Sequence, residues 1–130
     1  NGLEAKLIAK VEYFNPLGSV KDRVAYAMIE EGIKQGKINQ DTVIIEPTSG
    51  NTGIAFSAIG SYYKHPVHIF MPDWVSQERL KLMKMYNAKV TLISKEEDWK
   101  KLKEYDEDIK IYALEPDKMP LLSQNRRNRR

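Results

Sequence analysis

Cysteine is absent from the 130 residues, which excludes disulfides, thiolate metal sites and a cysteine nucleophile, and is compatible with a reducing compartment. No uninterrupted apolar run has the length needed to cross a bilayer, and the first residues lack a secretory signal pattern. A cytoplasmic location is the expectation. Histidine is scarce: His65 and His68 are the only two, and without His-Glu-x-x-His or a third ligand at helical spacing they predict no metal centre. Trp74 and Trp99, with seven tyrosines scattered along the chain, form no stacking platform for single strands, so core and interface roles are expected. A generally basic surface is missing too. The net charge is +3, yet Arg126, Arg127, Arg129 and Arg130 account for more than all of it. The basicity therefore belongs to a tail, expected to be disordered and solvated over residues 124–130, and nucleic-acid binding ranks last among the functions considered.

With 42% hydrophobic and 30% charged residues, the chain has the composition of a globular protein with one core. It begins at Asn1 without an initiator methionine, which suggests a processed or partial product. Leu7, Ala9 and Val11 alternate with Lys6, Lys10 and Glu12, so residues 5–12 are predicted as a first strand. Asn15-Pro16-Leu17-Gly18 breaks that pattern. Ser19, followed three residues later by Asp22, resembles a capping box, opening a helix over residues 20–35 that Gly36 ends. Its middle, residues 24–29, is apolar nearly all round and predicts a largely buried helix.

The stretch that organises the rest is residues 42–57. An apolar run, Thr42-Val43-Ile44-Ile45, meets Pro47-Thr48-Ser49-Gly50-Asn51-Thr52-Gly53 and then a helix of small residues. A strand emptying into a polar loop that opens a helix is a preferred ligand site, because the unpaired N–H groups of the helix start face a crevice. Gly50 and Gly53 admit close backbone approach, while Thr48, Ser49, Asn51 and Thr52 supply donors and acceptors within one turn. Capture of a small anion is the chemistry suggested. The loop is neither Gly-x-Gly-x-x-Gly nor a Walker loop, and a plain capped helix start accounts for it about equally well.

Lys21 is the odd residue of the first helix. A cation in the first turn faces the positive end of the helix dipole, an arrangement that suits a nucleophilic, imine-forming amine. The alternative is a lysine that reaches solvent and pairs with Asp22. Arg23 is expected to be an ion-pair partner. A helix over residues 53–63, a strand over 66–71, a helix capped by Ser76 and running to Tyr86, and a strand over 89–93 follow in turn. Strands alternating with helices at this spacing predict an α/β fold with a parallel, doubly wound, Rossmann-like sheet in three αβα layers. Composition shifts at Ser94: residues 95–108 are densely charged, residues 109–114 return as a strand, and nothing periodic follows Lys118.

These residues carry a resemblance. Phe14-Asn15-Pro16-Leu17-Gly18-Ser19-Val20-Lys21-Asp22-Arg23 looks like the cofactor-lysine segment of the cysteine synthase (O-acetylserine sulfhydrylase) family, and Ile45-Glu46-Pro47-Thr48-Ser49-Gly50-Asn51-Thr52-Gly53 looks like its substrate loop. Met71-Pro72 and Ser76-Gln77-Glu78-Arg79 continue the likeness to Ile93. The family is part of the fold-type II pyridoxal phosphate enzymes, the tryptophan synthase β-subunit-like group. The resemblance implies that Lys21 carries pyridoxal 5'-phosphate covalently and then moves the proton at the substrate Cα. Asn51 would hydrogen-bond the cofactor's 3′ oxygen, and Thr48, Ser49, Gly50 and Thr52 would hold the substrate carboxylate. In the family the cofactor is an electron sink: acetate leaves O-acetylserine and sulfide adds to give cysteine, with the loop closing over substrate.

Residues 1–94 thus resemble the cofactor-lysine segment plus the small substrate-loop domain. Residues 95–123 read as a charged connector and a remnant strand of the large domain. The Gly/Thr-rich cup for the cofactor phosphate has no counterpart in the sequence. Weak or absent cofactor binding and catalysis are therefore expected of this chain by itself, and the sheet edge left open favours self-association. The family further implies a homodimer and a partner, serine acetyltransferase, whose C-terminus docks in the loop. The alternative to an enzyme is then a non-catalytic binding module that uses the same loop for an amino-acid carboxylate or that C-terminus.

Overall fold

Branched apolar residues build the three strands of the sheet: β1 (Ile44–Pro47), β2 (Val67–Pro72) and β3 (Lys89–Ile93). The computed structural model describes residues 6–94. All three strands run parallel in the order β1-β2-β3, with Ile44 opposite Val67 and Ile69 opposite Val90. The central β2 is buried from Val67 to Met71, which is why it reads as a continuous apolar run rather than an alternating one. Helix α1 (Lys21–Lys34) precedes the sheet, α2 (Asn51–Tyr62) joins β1 to β2, and α3 (Gln77–Met85) joins β2 to β3.

The parallel α/β sheet is the expected fold. Right-handed crossovers taken twice in the same direction put both connecting helices on one face. That face holds the main core, where Ile44, Val67, Ile69 and Met71 meet Ala25 and Ile29 of α1, Ile54 and Phe56 of α2, and Met83 of α3. Ile45, Phe70 and Ile93 form a second cluster on the opposite face. A second helix layer would need a reversal of strand order, which the described residues do not contain. Helix α2 lies close to the sheet because Gly60 has no Cβ: one built there would meet Val67 Cγ2.

Residues 6–11 are not a strand. They have no regular structure, Glu12–Phe14 forms a 3-10 turn, and Leu7 and Ile8 are 87% and 84% exposed. Alternation can name a face but cannot supply a partner, and a strand without a ladder has none of its backbone groups paired. The segment is held instead by Glu12, whose carboxylate accepts from Asn15 Nδ2 and Arg23 Nη2, both at 2.6 Å, and from Lys10 Nζ at 3.1 Å. These donors, the Asn15 amide first, hold the Glu12 carboxyl down to about 2.

The capping box also takes another form. Ser19 Oγ accepts from the Lys21 N–H at 3.1 Å, while the Asp22 carboxylate reaches past Ser19 to the Leu17 N–H at 2.7 Å. Helix α1 buries only Ala25 and Ile29 and leaves Tyr26 43% exposed, because among the described residues α2 covers one side of it alone. Gly36 stops it as expected, at φ +67°. Ser76 precedes α3 without a side-chain capping bond, and Trp74 is exposed rather than in the core. The charged connector at 95–123, its strand at 109–114, Trp99 and the tail at 124–130 lie outside the described residues.

Candidate functional site

In a parallel α/β unit each helix runs antiparallel to the strands, so the N-termini of α1, α2 and α3 gather at the carboxyl end of the sheet. Lys21 opens α1, residues 48–50 connect β1 to α2, and Arg79 lies in the first turn of α3. Thr48 is fastened to β2 by its N–H, which donates to the Phe70 carbonyl at 2.9 Å. The Gly50 N–H donates to Thr48 Oγ1 at 3.3 Å, and the Gly53 N–H to the Gly50 carbonyl at 3.1 Å. No side chain caps α2, and among the described residues nothing accepts from the Asn51 and Thr52 amides. Two free donors thus point out of the positive end of a 12-residue helix, the arrangement that binds a carboxylate or phosphate. Ser57 ties the first turn together, its Oγ donating to the Gly53 carbonyl at 2.6 Å inside the core.

Glu46, one residue before Pro47, carries the unusual electrostatics. Ile45 belongs to the opposite face, so Glu46 turns toward the helices, where it lines a crevice with Met28, Ile29, Ile38 and Phe56. Burial among these side chains pushes its carboxyl up to about 7, against the opposing pull of the nearby Lys21 ammonium. Lys21 itself is half-buried, and its amine makes no hydrogen bond or ion pair among the described residues. The Lys21–Asp22 pair considered from the sequence is therefore not formed, since Asp22 is turned to Leu17. Arg23 does pair, with Glu12 at 2.6 Å.

The structure thus gathers Thr48, Ser49, Gly50, Asn51 and Thr52 into one turn, and the Lys21 charge is felt at Glu46 on the strand before it. Ser49 and Asn51 are exposed, and Thr48, Gly50 and Thr52 are half-buried. Two residues of the site carry no role in the sequence reading. Glu46 has a sequence signal, a lone carboxylate inside an apolar strand. Arg79 appears only within the Ser76-Gln77-Glu78-Arg79 stretch of the resemblance, with no role, because its contact is the Ser49 carbonyl, 30 positions away, at 3.0 Å. His68 lies on the other face, with Nε2 2.8 Å from Thr91 Oγ1, and burial, aided by the Lys89 charge, pushes its pKa down to about 4. No group of three His, Asp or Glu side chains among the described residues could hold a metal ion. No helix among them is long and apolar enough to cross a membrane.

Comparison with known proteins matches residues 1–128 to a family model described as pyridoxal-phosphate dependent enzyme. A probable cysteine synthase of Bacillus subtilis strain 168 is 45% identical over 109 residues, which cover 81% of this chain and 35% of the relative. Cysteine synthase B of Escherichia coli K12 is 47% identical over 97 residues, 75% of this chain and 31% of the relative. Among solved structures, an O-acetylserine dependent cystathionine β-synthase from Helicobacter pylori aligns with a TM-score of 0.72 at 40% identity, over 80% of this chain and 36% of that one. The chain spans about a third of the length of the curated relatives it matches.

Proposed function

The chain belongs to the pyridoxal-phosphate dependent enzyme family, and on that premise we propose that it carries the lysine-and-loop part of a cysteine synthase-type site, for β-replacement on O-acetylserine by sulfide. The observation that carries this reading is the uncapped start of α2, with free Asn51 and Thr52 amides, on the strand whose Glu46 feels the Lys21 charge.

The residues present fit the cofactor at its aldehyde end. Lys21 offers a half-buried amine without an ion pair among the described residues, and Asn51, at the start of α2, would meet the ring oxygen. The phosphate end has no such fit, because neither the described residues nor the sequence offers a Gly/Thr-rich cup. Each charge-assisted hydrogen bond lost there is worth roughly 1.5–3 kcal/mol, so this chain alone binds the cofactor weakly. When bound, pyridoxal phosphate supplies an electron sink for the charge that develops at the substrate Cα. This chain's own residues then have two tasks. The amides of Gly50 and Thr52, with the hydroxyls of Thr48, Ser49 and Thr52, orient the substrate carboxylate. The Lys21 amine moves the proton at Cα. Residues 1–94 form the unit that does this, in a homodimer, in the cytoplasm.

The test is an absorbance titration with pyridoxal phosphate, followed by borohydride trapping and peptide mass mapping. The expected result is a single label on Lys21, with Lys21→Ala losing the visible band and more than about 90% of the trapped label, since one amine is the attachment point. Label spread evenly over many lysines would overturn the reading.

A second reading rests on the same free amides: a binding module that takes a carboxylate without turnover, including the C-terminus of serine acetyltransferase. Binding of a C-terminal peptide that Thr52→Ala abolishes, with no product formed from O-acetylserine and sulfide, distinguishes it.

A further inference from the structure

We infer that Arg79 is a positioning residue of the carboxylate loop, holding the Ser49–Gly50 peptide so that the Gly50 N–H is presented to an α-amino-acid carboxylate; this rests on the reading of the loop given above. Arg79 Nη1 donates to the Ser49 carbonyl at 3.0 Å. That carbonyl and the Gly50 N–H belong to one planar trans peptide, so they point in opposite directions, and fixing one aims the other. The Gly50 N–H is aimed at Thr48 Oγ1, at 3.3 Å. This is longer than the usual range for such a bond, which leaves the donor easily redirected to an incoming carboxylate. A charged donor on the carbonyl also polarises the peptide and strengthens its N–H as a donor.

The support behind Arg79 is rigid. Helix α3 is seated by Met83, fully buried in the main core, whereas the loop is exposed at Ser49. The tether therefore transmits position from the core to the loop. Among the described residues the ion pairs are those of Lys10, Arg23 and Lys34, so no carboxylate neutralises the Arg79 guanidinium. Its charge adds to the field of the α2 terminus, where the ligand anion is to sit.

The experiment uses the full chain and two readings: amide hydrogen exchange of Gly50, Asn51 and Thr52 without ligand, and titration with L-serine followed by the shifts of the same amides. Arg79→Ala is expected to speed Gly50 exchange and to weaken L-serine binding by about 5–10-fold, the worth of one ordinary hydrogen bond, since the lost bond acts on the ligand only through the peptide it holds. The melting temperature should stay nearly constant because the bond is exposed. Arg79→Lys, which keeps a charged donor, should restore most of the affinity. A merely structural role would move the melting temperature and would not be rescued in this way. Unchanged exchange and affinity in Arg79→Ala would overturn the inference. If the parent chain binds no L-serine while Arg79→Ala still speeds exchange, the tether stands and the carboxylate reading fails.

Discussion

Gly53→Ala is expected to destabilise the chain by about 1–2 kcal/mol and to weaken carboxylate capture by more than about tenfold in the molecules that remain folded. A Cβ at position 53 would meet Thr48 Cγ2 at 2.5 Å and Met83 Cε at 2.8 Å. The methionine methyl is the far end of a flexible side chain and can swing away. Thr48 cannot yield so cheaply. Its methyl and its Oγ1 share one Cβ with a stiff torsion, and Oγ1 is the acceptor of the Gly50 N–H while the Thr48 N–H is tied to Phe70. Turning the methyl aside thus moves the hydroxyl that shapes the loop. Overpacking of this kind costs about 1–3 kcal/mol, and the gain of about 1 kcal/mol from replacing a helical glycine by alanine offsets part of it. Gly60→Ala is the control: its Cβ presses on Val67 Cγ2 of β2, far from the loop. It should destabilise by a similar or larger amount and leave L-serine affinity unchanged. Urea unfolding of both variants, with titrations on the folded fraction, checks this. Parent-like binding by Gly53→Ala would refute the coupling between the glycine and the loop.

The same junction shows what a sequence can and cannot carry. Residues 42–57 announce strand, loop and helix because each part is a local matter: branched residues at 42–45, turn-formers at 47–50, small residues along α2. The structure puts β1 at Ile44–Pro47 and α2 at Asn51–Tyr62, within the span that the pattern marks. Residues 6–11 fail for the opposite reason. Their alternation is genuine, yet the three strands of the sheet offer them no ladder, and partnership is not a local property. Helix α1 shows a milder version, since an apolar middle predicts burial while the surrounding structure covers one side. Within the proposed site, composition and spacing mark the polar loop at 48–52 and the odd place of Lys21, while the roles given to them follow from the resemblance alone. Glu46 shows only as a lone carboxylate in an apolar strand, and neither its role nor that of Arg79 can be read locally, because their meaning lies in what the fold brings to them: an apolar crevice for one, a carbonyl 30 positions away for the other.

Glu46→Gln is expected to stabilise the chain at pH 8 and to remove one limb of its pH dependence. The Glu46 carboxyl is raised from 4.5 to about 7, chiefly by burial. Between these values the unfolded chain loses its proton while the folded chain keeps it, so stability falls as pH rises from about 4.5 to about 7. Fully expressed above pH 7, the penalty is on the order of 3 kcal/mol. His68 works in the opposite sense. Its pKa is lowered from 6.5 to about 4 by burial and by Lys89, so its contribution is present above pH 6.5 and is lost as pH falls toward 4. The two slopes oppose one another between about pH 4.5 and 6.5, and the parent chain should show little change there. Glu46→Gln leaves the His68 limb, joined below about pH 4.5 by the lowered Glu12 and Glu78 carboxyls: stability rises from pH 4 to 6.5 and stays level above it. At pH 8 the gain should be about 1–3 kcal/mol, less than the full penalty because the amide N–H groups need partners in the crevice. Denaturant melts at pH 4, 5.5, 6.5 and 8 decide the matter, and a variant that still loses stability from pH 6.5 to 8 would place the titrating group elsewhere. A carboxyl held half-buried beside a lysine at this cost is poor core design. It is consistent with the site proposed above, where stability is given up for function.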